Sequence, residues 1–465
     1  MRPQHLFVHP TAEFHLYIER VRINGIRGFH GDRAADLTFP RPTDPLEGKG
    51  SWTVLAGRNG SGKTTLLRAI ALGLVGPAYA RNLVADFGSW ISPGADTGEI
   101  HTSIVRVPNW GTFTHGASVE AFDGNLAWNR LDSGRGVRVT GPVDVTTADG
   151  PTASSRGPWA EDSNGWYVMG YGPFRRLESS ASHAQRLAQA GGPVGRLASL
   201  FSEDVSLTES VEWLKDVHLR RLEGRLGAGG LMDFVIRILN DGLLPDGFQV
   251  ERVDADGLWA RHAGVVIALH ELSDGYRTVA ALVLDLIRHI HTAEGDHVLD
   301  FYDDSTPTPV IYTPGVVLID EIDVHLHVSW QKTIGGWLKR HFPGMQFIVS
   351  SHSPYICQSA DPGGLIRLPG ANEDSAPHVV SDDLYERVVY GSGDDALLTD
   401  LFGIDSPYSE AAEAKRQRLA ALEVAIMRGT ASVEERQEYV ALNRTLNSSL
   451  AARVDEVASR LGPRE

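Results

Sequence analysis

A glycine-rich segment near the N-terminus has the residue types and the spacing needed to bind a nucleotide phosphate. Residues 57–64 read Gly-Arg-Asn-Gly-Ser-Gly-Lys-Thr, the full pattern of a phosphate-binding loop. Glycines let backbone N–H groups converge on the phosphates, and the following helix presents its positive N-terminus to them. Lys63 would reach the β- and γ-phosphates of ATP, and the Thr64 hydroxyl would ligate Mg²⁺. We expect the following residues to bind ATP: Asn59, Gly60, Ser61, Gly62, Lys63, Thr64 and Thr65.

An acidic pair supplies the chemistry of a second part of this site. Gly315 to Ile319 is uninterrupted apolar sequence, typical of a strand buried inside a parallel sheet. Asp320 and Glu321 follow it, at the sheet edge where open α/β sheets bind ligands. Asp320 would hold Mg²⁺ through water, and Glu321 would be the general base that polarises the attacking water. An acidic pair that only caps the next turn is the alternative, which the nearby phosphate-binding loop disfavours.

Two further segments carry residues suited to binding an anion. Residues 271–277 read Glu-Leu-Ser-Asp-Gly-Tyr-Arg, and Ser273 with Gly275 at the start of a helix can bind an anion through the helix N-terminus. An ordinary helix cap is the alternative for this segment. His352 follows a second buried strand in the run Ser-Ser-His-Ser-Pro. A lone histidine is usually a satisfied polar group, but its place one strand after Asp320 favours a functional role.

The elements around these residues alternate between strands and helices. Apolar and polar side chains alternate in residues 16–23, as expected for a strand with one buried face. We predict further strands at residues 35–39, 52–56, 102–107, 137–145, 315–319 and 346–350, and a hairpin over 246–268 that turns at Asp256-Gly257. We predict helices at residues 64–73, 210–225, 231–240, 278–291 and 328–341, and a helical tail over 406–461. The strand, glycine loop and helix at 52–73 form the context that a phosphate-binding loop requires.

These elements predict an α/β fold with a mainly parallel central sheet, an antiparallel β subdomain, a helical subdomain and a helical C-terminal tail. We divide the chain into five segments. They are an N-terminal ATPase lobe at residues 1–79, an inserted β-rich segment at 80–165, a helical subdomain with a hairpin at 166–270, a lobe with the acidic pair and His352 at 271–380, and the tail at 381–465.

Composition limits the classes of function that fit. The 465 residues carry a net charge of −16, which disfavours wholesale coating of nucleic acid. Two short basic stretches could form a local groove, although solvated faces are the simpler interpretation: Arg20, Arg22 and Arg27, and Arg220, Arg221 and Arg225. Cys357 is the only cysteine, which excludes an intramolecular disulfide. Without a signal peptide pattern or an apolar run of about 18 residues, we expect a cytoplasmic protein with no membrane partner.

The motif set resembles a known bacterial family. The segment at 271–277 resembles the signature of ABC ATPases, with Asp and Tyr in place of a Gly and the Gln, and Asp323 resembles their D-loop. Together with Asn24 to Phe29, the motifs look like the SMC/RecF-like ABC-class AAA-type ATPases, including Septu-type defence ATPases and relatives of the OLD nucleases. This resemblance implies a P-loop NTPase fold of the ABC/SMC-head type. It also implies a homodimer that sandwiches two ATP molecules, with Ser273 and Gly275 reaching the γ-phosphate held by the opposite copy and His352 contacting it.

The chain departs from this family in one functional element. Residues 170–177 read Gly-Tyr-Gly-Pro-Phe-Arg-Arg-Leu and resemble the Tyr-Gly and Arg element that stands where transport ATPases have their Q-loop. No glutamine lies in this element, and Gln185 is a remote candidate for its role. Arg175 and Arg176 are candidates for coupling the nucleotide site to an adjacent surface.

Three functions compete at this point. The leading hypothesis is a switch in which ATP closes a homodimer and hydrolysis reopens it to control a separate effector, such as a nuclease in anti-phage defence. The first alternative is a RecF/SMC-like DNA-repair ATPase that binds duplex DNA directly. A nucleotide-binding subunit of a transporter is less consistent with the altered signature and the β-rich insertion.

Overall fold

The structure is a computed structural model that describes residues 16–40, 50–106, 121–131, 137–140, 159, 167–175, 190, 192–295, 308–403 and 408–446. The chain divides into two compact units, residues 1–396 and 397–465. The first unit contains the three sheets and the motif-bearing segments. The α/β class predicted from the sequence is confirmed.

A six-stranded sheet forms the centre of the first unit. Its strands are, in spatial order, β14 (His378–Val379), β13 (Leu365–Arg367), β3 (Ser51–Ala56), β12 (Met345–Ser351), β11 (Gly315–Ile319) and β7 (Tyr167–Tyr171). The five strands from β13 to β7 run parallel, and β14 at the edge runs antiparallel to β13. Strands β3, β11 and β12 are buried along their whole length, which explains their apolar sequences. The mainly parallel sheet predicted from these runs is therefore present.

A second, antiparallel sheet has the order β2 (Ala35–Thr38), β1 (Leu16–Asn24), β4 (Thr97–Arg106), β5 (Ala121–Arg130) and β6 (Val137–Thr140). Strands β4 to β6 come from the segment that sequence analysis treats as an insertion, yet β4 pairs with β1 over most of its length. Gln346 of β12 joins the two sheets, because its buried amide accepts a hydrogen bond from the Ile18 N–H at 2.7 Å and donates one to the Ile18 carbonyl at 3.1 Å. The register of β1 shifts at this point, so Gln346 satisfies backbone groups at an irregularity.

Nine α-helices complete the described part of the first unit. They are α1 (Lys63–Leu83), α2 (Gly192–Phe201), α3 (Thr208–Leu222), α4 (Ala228–Asn240), α5 (Asp274–Glu294), α6 (Val328–His341), α7 (Pro354–Cys357), α8 (Asp382–Tyr390) and α9 (Gly393–Leu397), the last of which ends at the unit boundary. A three-stranded antiparallel sheet of β8 (Gln249–Asp254), β9 (Gly257–His262) and β10 (Val265–Ala268) contains the predicted hairpin. Helix α1 contacts both larger sheets, and its apolar side chains join one core cluster with theirs.

Helix α1 is longer than the sequence predicts and contains a break. Gly76 has a non-helical backbone with φ of 74°, and Pro77 follows it. Because proline has no N–H, the carbonyl of Gly73 loses its usual helical partner four residues later. The indole N–H of Trp159 donates to that carbonyl at 3.1 Å, and the same ring lies against Gly76, where a Cβ atom would be 2.6 Å from it. The break is thus satisfied by a side chain from outside the helix.

The second unit contains the helices α10 (Glu410–Met427) and α11 (Val433–Leu446), which contact each other. Arg418 of α10 forms a bidentate pair with Glu438 of α11, at 3.1 and 2.7 Å. The helical tail is predicted to run from residue 406 to 461, and the part beyond residue 446 lies outside the described residues.

Candidate nucleotide site

Four parallel strands end at the same edge of the central sheet and deliver the sequence motifs there. Strand β3 leads into the glycine loop, β11 into Asp320 and Glu321, and β12 into His352. Strand β7 leads into the Tyr-Gly-Pro-Phe-Arg run. The registers pair Ile319 of β11 with Val349 of β12 and Tyr171 of β7, so the strand ends are level. Parallel pairing therefore brings together residues that are far apart in the sequence.

The glycine loop requires its glycines for two separate reasons. Gly60 and Gly62 have φ of 78° and 97°, which is left-handed backbone that favours glycine. Gly57 and Gly62 also lie too close to neighbouring atoms for a side chain. A Cβ atom would be 2.5 Å from the Leu368 carbonyl oxygen at Gly57 and 2.8 Å from the Phe29 ring at Gly62. The loop is thus fixed by its surroundings in the shape that a phosphate-binding loop needs.

Lys63 is folded into the loop. Its Nζ atom donates to the carbonyls of Gly57 and Arg58 at 2.9 and 3.2 Å, and its side chain is only 5% exposed. Burial lowers the pKa of Lys63 to about 8, although the carboxylates of Asp320 and Glu321 act in the opposite direction. A partly desolvated lysine that is held only by carbonyls gains from an anion in the loop, so this geometry suits phosphate binding.

The remaining loop residues differ in their exposure. The Ser61 hydroxyl is buried and has no hydrogen-bond partner among the described residues, which is costly unless a ligand supplies one. Asn59 is exposed, and Thr64 and Thr65 are half-buried at the start of α1. The Thr65 hydroxyl accepts a hydrogen bond from Arg27 at 3.3 Å. Arg27 was not among the sequence-predicted site residues.

The acidic pair is held by its own strand and by its neighbour. The Ser350 hydroxyl donates to Asp320 Oδ1 at 2.6 Å and accepts from the N–H of Glu321 at 2.8 Å. Asp320 is 1% exposed, whereas Glu321 is half-buried. Glu321 has φ of 45°, an uncommon backbone conformation for a residue with a side chain. Burial raises the pKa of Glu321, and the charges of Asp320 and Asp323 add to this, as is typical of a residue that accepts protons.

The donor set fits Mg²⁺ if a nucleotide completes it. Within the residues that the structure describes, no group of three or more His, Cys, Asp or Glu side chains is arranged to hold a metal ion on its own. Mg²⁺ commonly uses one or two protein ligands and takes the rest from phosphates and water. Asp320 and Thr64, at the ends of β11 and the glycine loop, provide such a partial set, so both remain predicted ligands.

His352 and Asp323 lie in connected turns. Asp323 Oδ1 accepts hydrogen bonds from the Ser351 hydroxyl at 2.6 Å and from the His352 N–H at 3.4 Å. His352 is half-buried, and burial lowers its pKa, with the charge of Lys63 adding to this. Its imidazole is therefore neutral near pH 7 and can donate or accept a hydrogen bond.

Arg175 is more central to the site than sequence reasoning indicates. It is 2% exposed and donates to the carbonyls of Gly172 and Asp320, each at 2.9 Å. It also donates to the carbonyls of Glu321 at 3.1 Å and Ile322 at 3.4 Å. The available signal is an arginine placed just after a buried strand, but its partners in the acidic loop lie 145 to 147 residues away in the sequence. Arg176 and Gln185 lie outside the described residues.

The segment with Ser273 does not follow one of these strands and begins a helix at an exposed position. Ser273 is the exposed N-cap of α5, and its hydroxyl makes no capping hydrogen bond. Gly275 is buried, and no side chain fits there, since a Cβ atom would be 2.6 Å from the carbonyl oxygen of His325. Tyr276 is fixed by a hydrogen bond to Asp246 at 3.0 Å and by an edge contact with Trp330. The structure thus anchors the helix through Gly275 and Tyr276 while Ser273 and Asp274 at its start are exposed.

Two family models match separate segments of the chain, and together these segments contain most of the site residues. Residues 220–358 match a family described as "AAA domain, putative AbiEii toxin, Type IV TA system", and residues 20–112 match a family described as "AAA domain". The first match includes Ser273, the acidic pair and His352, and the second includes the glycine loop.

Curated relatives point in the same direction. The chain is 36% identical over 113 residues to the Retron Ec83 probable ATPase of Escherichia coli, which is 24% of this chain and 19% of that protein. It is 42% identical over 95 residues to the Retron Vc95 probable ATPase of Vibrio cholerae, covering 20% and 16% of the two chains. A longer match, 22% identical over 339 residues, is to the Septu protein PtuA of Bacillus mycoides and covers 73% of this chain and 38% of that one. The matches therefore span well under half the length of these relatives.

Among solved structures, the SMC head bound to the C-winged helix domain of ScpA is similar at 16% identity and a TM-score of 0.43, over 78% of this chain and 97% of that one. The recombination mediator RecF is similar at 11% identity and a TM-score of 0.38, over 80% of this chain and all of that one. The family and sequence matches confirm the resemblance that the motifs predict: this chain is similar to AAA-domain ATPases, with relatives among retron probable ATPases and Septu proteins.

Proposed function

We propose that this protein hydrolyses ATP in a site that a second copy of the chain completes. The observation that carries the proposal is the division of the motifs into two groups. Lys63, the acidic pair and His352 meet at one edge of the central sheet, whereas Ser273 stands at an exposed helix start without a capping partner. The exposed group is available to a nucleotide that is held by another molecule.

The residues at the sheet edge have separate roles in this proposal. The loop amides and Lys63 bind the phosphates, and Thr64 and Asp320 hold Mg²⁺, which supplies neutralising charge to the phosphates. Glu321 accepts a proton from the attacking water, and its raised pKa brings it closer to the operating pH. His352 contacts the γ-phosphate as a neutral donor, consistent with its lowered pKa. Ser273 and Gly275 of the other copy close the site from the opposite side.

Substitution of the general base tests hydrolysis and dimer formation together. We expect Glu321→Gln to bind ATP but to turn over at least about 100-fold more slowly, because the water loses its proton acceptor. The trapped state should be a dimer, detectable by light scattering in the presence of ATP and absent with ADP. Normal turnover in this variant would exclude the proposed role of Glu321.

A mixing experiment tests whether the site is shared between copies. Lys63→Ala removes the phosphate-binding group, and Ser273→Arg blocks the exposed helix start, so each variant alone should be inactive. A mixed dimer retains one intact site, formed by the loop of the second variant and the helix of the first. Recovery of about a quarter of wild-type turnover on mixing is expected from random pairing, since half of the dimers are mixed and each has one of two sites. No recovery in a mixture that forms dimers would contradict the shared site.

We further propose that the nucleotide cycle controls a separate effector, such as a nuclease in a cytoplasmic anti-phage system. The retron and Septu relatives support the setting in a defence system, and the population of the closed dimer would be the signal to the effector. Among the described residues, no helix is long and apolar enough to cross a membrane. The test is to purify the product of the adjacent gene and compare its activity with wild-type protein and with Glu321→Gln. An effector that binds neither the wild-type protein nor Glu321→Gln would count against this role.

Direct binding of duplex DNA is less well supported, because the two basic stretches are largely paired with acids. Arg20 contacts Asp36 at 2.6 Å, and Arg220 contacts Asp216 at 2.6 Å. The pairs at Arg221 and Arg225 involve Asp233 and Glu223. Binding that weakens steeply with salt, together with ATP turnover stimulated by DNA, would restore this alternative.

A further inference from the structure

The short segment from Tyr171 to Arg175 contacts both the acidic strand end and the helix that begins after Ser273. Tyr171 is the last residue of β7, beside Ile319 in the parallel register. Its carbonyl accepts a hydrogen bond from the N–H of Asp320 at 2.8 Å. The backbone of Tyr171 therefore fixes where Asp320 leaves the sheet.

Arg175 continues this contact along the acidic loop. One guanidinium group donates to three consecutive carbonyls, those of Asp320, Glu321 and Ile322. Glu321 lies between the other two in the left-handed backbone region, with φ of 45°. Such a conformation costs about 1 kcal/mol and persists only when its surroundings enforce it. The described contacts of Arg175 supply that enforcement at the residue proposed as the general base.

The segment is itself held firmly from its other side. Gly172 lies against α2, where a Cβ atom would be 2.3 Å from the carbonyl oxygen of Ser199. The Ser199 hydroxyl donates to the carbonyl of Gly170 at 3.1 Å. Because both contacts are buried and close, the segment cannot shift relative to α2 without losing them.

The side chain of Tyr171 reaches the helix that carries the signature segment. Its hydroxyl donates to Asp285 Oδ2 of α5 at 3.1 Å. Burial alone would raise the pKa of Asp285, but His289 and Arg288 hold it well below its usual range, so Asp285 is a carboxylate. Arg288 lies 2.8 Å and His289 3.3 Å from that carboxylate. Asp285 lies about 18 Å along α5 from Ser273, at the usual rise of about 1.5 Å per residue.

We propose that Arg175 is a positioning residue for ATP hydrolysis and that Tyr171 connects it, through Asp285, to the helix that engages the partner copy's nucleotide. The segment would replace the coupling glutamine that this chain lacks at residues 170–177. A shift of α5 on engaging nucleotide acts on the Tyr171 side chain through Asp285 while Gly170 and Gly172 stay against α2. It thereby changes how the Tyr171 carbonyl and Arg175 hold the backbone on either side of Glu321. Hydrolysis in one copy then depends on engagement by the other. The inference rests on the proposed ATPase function.

Substitutions of Arg175 test the positioning role. Arg175→Lys retains the charge but fewer donors, and Arg175→Met retains only apolar volume. We expect kcat to fall from wild type to the Lys variant and further to the Met variant. The loss in the Met variant should be about 100-fold, as for a displacement of the general base Glu321 by about 1 Å. The affinity for a fluorescent ATP analogue should stay within about threefold, because Arg175 contacts backbone carbonyls of the acidic loop.

Arg196→Lys is the control for a change to a second arginine beside β7, one that is half-buried. Arg196 also packs against β7, with its guanidinium 5.3 Å from the Tyr167 ring, and no described hydrogen bond joins it to the acidic loop. We expect this variant to lose stability without losing kcat. Equal losses of kcat in the Arg196 and Arg175 variants, or loss of ATP affinity together with kcat, would show that Arg175 is merely structural and overturn the proposal.

Tyr171→Phe tests the connection to α5 in a variant that should fold, because only one hydroxyl is removed. We expect the Hill coefficient of turnover against ATP concentration to fall towards 1, with ATP affinity unchanged. Unchanged cooperativity in Tyr171→Phe would overturn the connection. Wild-type turnover is measured first, so that absent ATPase activity, which would overturn the proposed function itself, is distinguished from a failure of this inference alone.

Discussion

The two halves of the proposed ATP site differ in how much of their own chain surrounds them. Lys63 is 5% exposed and bonded to carbonyls of its own loop, and Asp320 is 1% exposed and bonded to Ser350 of the neighbouring strand. Ser273 is exposed at a helix start whose amides it does not cap. The first half is complete within one chain, whereas the second has a fixed position and an open face. This difference indicates that stability and catalysis should respond separately to substitutions in the two halves.

The largest effect is expected in the buried half, at Gly62. Gly62→Ala would force a side chain into left-handed backbone and to within 2.8 Å of the Phe29 ring. We expect about 1–3 kcal/mol lower free energy of unfolding from the overpacking and strain. ATP affinity should fall about 100-fold, because the loop amides lose their alignment. Chemical denaturation and nucleotide titration measure the two effects.

Gly336→Ala is the control for this substitution. Gly336 lies in α6 with open space where a Cβ atom would be, and it has ordinary helical backbone. We expect this change to raise the free energy of unfolding by up to about 1 kcal/mol, because alanine favours helices more than glycine. If Gly62→Ala is as stable as this control and binds ATP as tightly, the buried half does not depend on its packing as we expect.

A smaller and more selective effect is expected in the exposed half. Ser273→Ala should lower kcat about tenfold, because one hydrogen bond to a charged phosphate is lost. Its free energy of unfolding should stay within about 0.5 kcal/mol of wild type, as for most exposed positions. Steady-state turnover and thermal unfolding separate the two. A stability loss comparable to that of Gly62→Ala would show that Ser273 serves its own fold.

The smallest effect concerns pH. Burial lowers the pKa of Lys63 to about 8, so its side chain is charged below that pH and neutral above it. Because only the charged form attracts phosphate, ATP affinity should decline as pH rises through 8, by about threefold while the loop amides continue to bind. Isothermal titration at several pH values measures this decline. Thr64→Ala should bind more weakly but with the same pH dependence, whereas Lys63→Ala should lose the dependence.

Much of the central fold could be predicted because its signals are local. The strand at Gly315–Ile319 and the helix at Val328–His341 have the predicted bounds. Both begin and end where an apolar run or a helical pattern begins and ends. The glycine loop likewise combines its spacing with a strand before it and a helix after it. Here local preference and tertiary packing agree.

The features that were missed depend on contacts between distant residues. The segment at 80–165 forms β-strands, but nothing local indicates that its first strand, β4, pairs with β1. Helix α1 was expected to end at Gly73, but it continues to Leu83 across a break. In the sequence, Arg175 looks like any arginine in a loop. Its contacts with the acidic loop form only when the fold brings the strand ends together. Long-range pairing of this kind leaves no periodic pattern in the sequence.

The indole of Trp159 occupies a position that Pro77 makes necessary. Pro77 removes an N–H that would have bonded to Gly73, and the Trp159 N–H bonds there instead. Loss of the Trp159 indole leaves the Gly73 carbonyl without a hydrogen-bond donor. If residue 77 is not proline, its own N–H is available to that carbonyl and the indole is no longer needed. The two positions should therefore change together in evolution. In an alignment of homologues, an ordinary residue at 77 should coincide with the absence of tryptophan at 159, a covariation that links the P-loop helix to a distant part of the chain.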